Sequence, residues 1–169
     1  MTIAVDTNAL LALIHDDKHA DAAEQALRTA YTEDRLVVTP IVSAETAADG
    51  QFSAVEELTT FLDDLSIDIV QPSSEALFRS GEAFSRYSER RPDGLQCPEC
   101  GSTEVVHCST CGQTLAPRQH IAADFLIGGH AVTDAEALVT FDTGFYGSYF
   151  PNLAVRPAEQ TTEGDLDGP

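Results

Sequence analysis

Strand-like runs at residues 2–5, 36–39, 66–70, 137–141 and 153–156 alternate with segments whose apolar residues recur at helical spacing. Strands separated by helices join through crossovers and lie parallel, so this alternation restricts the chain to an α/β fold with a parallel sheet. The helices carry local signals of their own. A short apolar helix is expected over 8–14 and an amphipathic one over 19–31. Thr39-Pro40 offers an N-cap and a first-turn proline to a helix carrying Glu45. Ser53 and Glu56 have the spacing of a capping box opening a helix over 54–65. Ser73 or Ser74 starts a helix to about Arg90, with Leu77, Gly81 and Phe84 along one face, and a last helix covers about 118–131.

In such a sheet the positions just beyond the carboxyl ends of the strands face the crevice where ligands bind. Two strand-like segments, Thr2 to Val5 and Ala137 to Phe141, run directly into Asp6-Thr7 and Asp142-Thr143. Each aspartate also suits a helix N-cap, but acids placed this way can meet, which points to a divalent-metal site. Glu45 has Ile41 and Ala48 as its neighbours at helical spacing, close to the face that meets the sheet, where a carboxylate needs a partner. Asp124 has Ile121 and Gly128 as helical neighbours, and the glycine would leave space around the carboxylate. For both acids the partner is either a cation or, more simply, a salt bridge or solvent.

A length of 169 residues fits one domain with room for a small insertion. No apolar run approaches the roughly 20 residues that cross a bilayer, and the amino terminus lacks a secretion signal, so the expectation is a soluble cytoplasmic protein without a membrane partner. Acids outnumber bases 28 to nine, giving a net charge of −19, and Lys18 is the sole lysine. That balance opposes nucleic-acid binding, whose affinity comes largely from basic groups. Molar salt weakens the objection, because the screening length then falls to about 3 Å. An acid-rich, lysine-poor composition resembles that of halophilic proteins, in which the acids are mostly solvated surface. Residues 157–169 show no periodicity and read as a disordered acidic tail.

Asp6-Thr7-Asn8-Ala9-Leu10-Leu11, Ser43-Ala44-Glu45, Asp124 followed by Ile127 and Ala131, and Thr140-x-Asp142 followed by Phe145 together resemble the PIN-domain ribonucleases, most of all the VapC-type toxins. The likeness spans about residues 2–156 apart from one insertion. It implies a three-layer α/β/α fold with a five-stranded parallel sheet. It also implies that Asp6, Glu45, Asp124 and Asp142 are catalytic and hold Mg²⁺ or Mn²⁺, with Asn8 and Thr140 as polar residues beside them. The implied activity is metal-dependent endoribonuclease cleavage of RNA phosphodiester bonds by the toxin of a toxin–antitoxin pair. An antitoxin protein and a second copy of the chain are the implied partners. Arg118, just ahead of the Asp124 helix, is placed to contact phosphate, although a surface arginine at a helix start needs no such role. Two other functions stay open: ribosomal-RNA maturation, and a non-catalytic RNA-binding or protein-interaction module.

The insertion departs from that family pattern. Cys97-Pro98-Glu99-Cys100-Gly101 and Cys108-Ser109-Thr110-Cys111-Gly112 are paired knuckles with the spacing of a four-thiolate structural zinc site, which has no open coordination position. A redox dithiol or a disulfide pair is the other reading. A zinc ribbon over 92–117 would thus interrupt a nuclease domain of residues 1–156. His107 is redundant beside four thiolates and reads as solvent-facing. His120 and His130 read as exposed or helix-capping residues. With every cysteine in one window, none is left to staple the rest of the chain, which fits a reducing compartment.

Overall fold

The computed structural model describes residues 1–90, 94–96, 102–115 and 122–156. The first half runs β1 (Thr2–Val5), α1 (Thr7–His15), α2 (Ala20–Glu33), β2 (Arg35–Val38), α3 (Pro40–Ala48), α4 (Val55–Asp64) and β3 (Ile67–Ile69). The second half runs α5 (Ser74–Arg90), β4 (Leu95–Gln96), β5 (Thr103–Glu104), α6 (Ala123–Asp134), β6 (Ala137–Val139), α7 (Thr143–Tyr149) and β7 (Val155–Arg156). Five strands form one parallel sheet in the order β3-β2-β1-β6-β7, the middle layer of a three-layer α/β/α fold. β1 is central, with Ile3 opposite Leu36 on one side and Ala137 on the other. Ile3, Val5, Leu36, Val37, Val38, Leu138 and Val139 are all buried, as strands covered on both faces must be.

Several helices begin where a strand ends, because the last strand residues hand over to a capping side chain. Asp6 accepts the Thr7 N–H, Thr39 accepts the Val42 N–H ahead of Pro40, and Asp142 accepts the Phe145 N–H. The cap reading of the two aspartates and their placement at the crevice are thus compatible. The capping box is displaced by one residue. Ala54 is the N-cap of α4, and Glu57 rather than Glu56 accepts the Ser53 N–H, at 2.7 Å.

α5 and α6 pack antiparallel, and of the residues expected along one face of α5 their contact takes in Phe84 but not Leu77 or Gly81. Asp134 accepts both the N–H and the hydroxyl of Ser73 at one end, and Phe125 packs on Phe84 and Tyr87 at the other. Between them Gly129 lies so close to α5 that an added Cβ would stand 2.6 Å from the Ala76 carbonyl oxygen and 2.1 Å from the Ser80 hydroxyl. Small residues are needed there. Ala76, Ser80 and Ala83 therefore form the buried line of α5, whereas Leu77 is 49% exposed and Gly81 faces outward. Gly128 does not open space at Asp124 either, because the ring of Phe150 occupies the room its missing side chain leaves.

β4 and β5 form a separate antiparallel pair, with Leu95 opposite Glu104, and His107 bridges to Thr114 farther along. Cys97, Cys100, Arg118, His120 and the tail expected over 157–169 lie outside the described residues. His130, expected to be exposed or helix-capping, is buried at 2% exposure with its Nδ1 3.1 Å from Asp134 Oδ2.

Gly129→Ala should cost about 1–3 kcal/mol, because the helix backbones must separate to admit the methyl group. Gly81→Ala, with open space around it, should be neutral or stabilise by up to about 1 kcal/mol through helix propensity. Urea titrations of the two variants beside the parent chain check both.

Candidate active site

β1 and β6 pair in register and end together, so the residues that follow them emerge side by side. Asp6 is 4% exposed, and four donors converge on its carboxylate. Oδ2 accepts from the Thr140 hydroxyl at 2.7 Å, Asn8 Nδ2 at 2.8 Å and the Tyr146 hydroxyl at 3.2 Å. Oδ1 accepts the Thr7 N–H at 2.8 Å, which leaves it the less occupied oxygen. The donors are themselves fixed. Asn8 also donates to Thr140 Oγ1 and accepts the Phe141 N–H, and Thr140 Oγ1 accepts the Asp142 N–H.

The other three acids reach the same end of the sheet from different elements. Glu45, half-buried on α3, accepts the Thr7 hydroxyl at 2.6 Å. Asp124 stands in the first turn of α6. Asp142 caps α7, its Oδ1 taken by the Phe145 N–H at 3.0 Å. Burial pushes the Asp6 carboxyl up to about 6, against hydrogen bonds from Thr140, Thr7 and Tyr146, and the charge of Asp124 adds to the rise. Asp124 is raised as well, by burial and then by the charges of Glu45 and Asp142. Burial and the charges of Asp6 and Asp124 hold the Tyr146 phenol well above its ordinary range, so it stays a donor. Among the described residues, none of the ion pairs includes any of these four acids.

The donor set is made of oxygen alone, which suits a hard divalent cation. Among the described residues no three acidic, histidine or cysteine side chains converge tightly enough to cage an ion directly. An ion that keeps most of its waters, as Mg²⁺ does, needs only one or two carboxylates in contact and can use the rest through water. The residues present fit such an ion. Two contributors escaped the sequence reading. Thr7 bridges Asp6 and Glu45, and its place in Asp-Thr was a signal; Tyr146 lay in a glycine-rich aromatic stretch that gave none.

At the other end of the insertion, Cys108 and Cys111 are free thiols. The backbone N–H groups of Cys111 and Thr110, directed at the Cys108 sulfur, lower that thiol below its ordinary range. Gly112 follows with φ +75°, a left-handed turn that favours glycine.

The PIN domain family model matches residues 3–150, and the chain belongs to that family. Among solved structures it is similar to VapBC2 from Rickettsia felis bound to a DNA fragment from their promoter, at 21% identity and a TM-score of 0.56. It is also similar to VapBC-1 from nontypeable Haemophilus influenzae, at 18% identity and a TM-score of 0.55. Each match covers 92% of this chain and 97% of the other, so the likeness is one of the whole fold. No curated protein matches the chain significantly.

Asp6 binds its proton more tightly in the folded chain, about 6 against 3.8. The stabilisation that proton confers is complete below the lower value and is lost as pH rises through the upper one. Asp124→Asn relieves the same crowding of charge without touching the donors around Asp6. In metal-free buffer of constant salt it should raise Tm at about pH 8, with the gain shrinking toward about pH 4. Asp6→Asn should show no such gain, because its amide NH₂ would face donors on either side. Thermal melts of both variants across that range provide the measurement.

Proposed function

We propose that this chain is a metal-dependent endoribonuclease that hydrolyses RNA phosphodiester bonds at Asp6, Glu45, Asp124 and Asp142. The observation that carries the reading is Asp6 itself: a carboxylate held buried by neutral donors at the crevice end of a parallel sheet, with three more acids nearby and no cationic side chain paired to any of them among the described residues. Membership of the PIN domain family supports it. Mg²⁺ or Mn²⁺, when bound, supplies orientation of the scissile phosphate, charge stabilisation on its non-bridging oxygens and a lowered pKa for the attacking water.

The chain's own residues divide the remaining work. Asp6 and Asp124 would hold the ion directly, and Glu45 and Asp142 would act directly or through water. Thr140, Asn8 and Tyr146 fix the Asp6 carboxylate in one orientation, and Thr7 positions Glu45. Arg118 contacts phosphate. The partner is a small antitoxin protein, a reading supported by the fold neighbours being VapBC complexes. A homodimer is the proposed assembly.

The domain comprises residues 1–156, interrupted over 92–117 by a ribbon in which Cys97, Cys100, Cys108 and Cys111 hold structural Zn²⁺. Support comes from the Cys108 knuckle, whose inward N–H groups favour thiolate. The acidic surface is a halophilic adaptation, so screening in molar KCl permits a polyanionic substrate.

Purified protein incubated with total RNA, at low and molar KCl and with or without Mn²⁺, should give metal-dependent internal cuts. Asp6→Asn and Asp124→Asn should abolish them, and Thr140→Val should slow them about 10- to 100-fold by freeing the Asp6 carboxylate. Cleavage that persists in both aspartate variants after repeat purification would refute the reading. Elemental analysis should find about one zinc per chain after EDTA has silenced cleavage, with the zinc lost in Cys108→Ser.

A further inference from the structure

Next in the chain to Asp142, two rings are stacked at the edge of the core, against which Phe141 packs with one part of its ring still exposed. Phe141 lies between Thr140 and Asp142, and the His19 imidazole rests on it with ring centroids 4.5 Å apart and planes 24° from parallel. Both rings are half-exposed. His19 occupies the N-cap of α2, where serine, threonine, aspartate or asparagine would close the helix, yet its side chain makes no capping hydrogen bond. Asp17 performs that work instead, its carbonyl accepting the Ala20 N–H and its carboxylate accepting the His19 N–H. The imidazole therefore neither caps the helix nor, among the described residues, bonds to any other side chain. Next to it Lys18, the sole lysine in a chain of 28 acids, is exposed.

We propose that the His19–Phe141 pair is a nucleobase ledge, on which a base flanking the scissile phosphate stacks while Lys18 meets the adjoining phosphate. The inference rests on the nuclease reading and extends it to how substrate is held. The chemistry favours a base over other occupants. A flat, half-exposed, polarisable surface one residue from Asp142 suits the π-face of any base, and stacking is tolerant of sequence. Bases in a duplex are already stacked on one another, so the ledge selects unpaired nucleotides. His19 and Phe141 are positioning residues, with no part in bond breaking.

The test separates stacking from bulk and from catalysis. For a short single-stranded RNA containing a mapped cut, His19→Ala and Phe141→Leu should each raise KM about tenfold with kcat nearly unchanged, and His19→Phe should restore KM. Replacing the flanking nucleotide by an abasic one should raise the parent's KM and remove the difference between parent and His19→Ala. Equal KM for parent and His19→Ala on intact RNA, or an unchanged difference on the abasic RNA, would overturn the ledge. A second readout is independent of cleavage. In the Asp124→Asn background, fluorescence of RNA carrying 2-aminopurine for adenine should be quenched on binding, with the quench lost in His19→Ala and kept in His19→Phe. Quenching indifferent to His19 would also overturn the ledge. Absence of cleavage by the parent with this quench intact would instead refute the nuclease reading alone.

Discussion

A carboxylate can be buried without a counter-charge only if neutral donors surround it, and that constraint organises the crevice. Asp6 draws its donors from three places: the start of α1, the end of β6 and the body of α7. Hydrogen bonds to a charged group are worth about 1.5–3 kcal/mol each, and their loss would leave an unsatisfied buried charge. The four donors thus offset the cost of burial while leaving the proton more tightly bound than in water. They also fix direction. With three donors on Oδ2 and one on Oδ1, the carboxylate has one way to face, and Glu45 is referred to the same point through Thr7.

The three inner strands, β2, β1 and β6, were legible because they are buried on both faces, which makes each a short, nearly unbroken apolar run. Asp6 and Asp142 could be picked out for a related reason: where such a run stops, its next residue faces the crevice. Helix starts were nearly as clear at Thr39-Pro40 and Ser73, where capping chemistry is local. What escaped depends on distance in the chain. α7 contains Gly144 and Gly147, weak helix formers, and the hydrogen bond from Tyr146 to Asp6 spans 140 positions. Of the residues read along one face of α5, Phe84 meets α6 while Leu77 and Gly81 turn outward, although Leu77 outranks Ala76 in hydropathy. The close approach of Gly129 reverses that order, since shape complementarity there admits only small side chains.

The antiparallel pairing of α5 and α6 also decides where the inserted segment leaves the domain. Asp134 meets Ser73 at one end and Phe125 meets Tyr87 at the other, so α5 ends and α6 begins at the end of the pair that carries Asp124. The cysteine-bearing segment is therefore joined to the domain on the crevice side. Tyr87, Phe125, Phe145 and Tyr149 pack together at that end and hold the first turn of α6 in place.

The central strand of the sheet is the first to be synthesised, and its companions at the acid cluster are nearly the last. Ile3 pairs with Ala137, and Asp6 finds its hydroxyl donors only at Thr140 and Tyr146. A ribosome adds roughly 5–20 residues each second, so for many seconds a nascent chain carries Asp6 without the groups that orient it. Closing so long a loop before any reward is slow, which lengthens the interval further. A partial product, whether stalled or truncated before β6, thus lacks the hydroxyls that orient Asp6. Strand order thus makes synthesis through α7 a precondition for assembling the acid cluster.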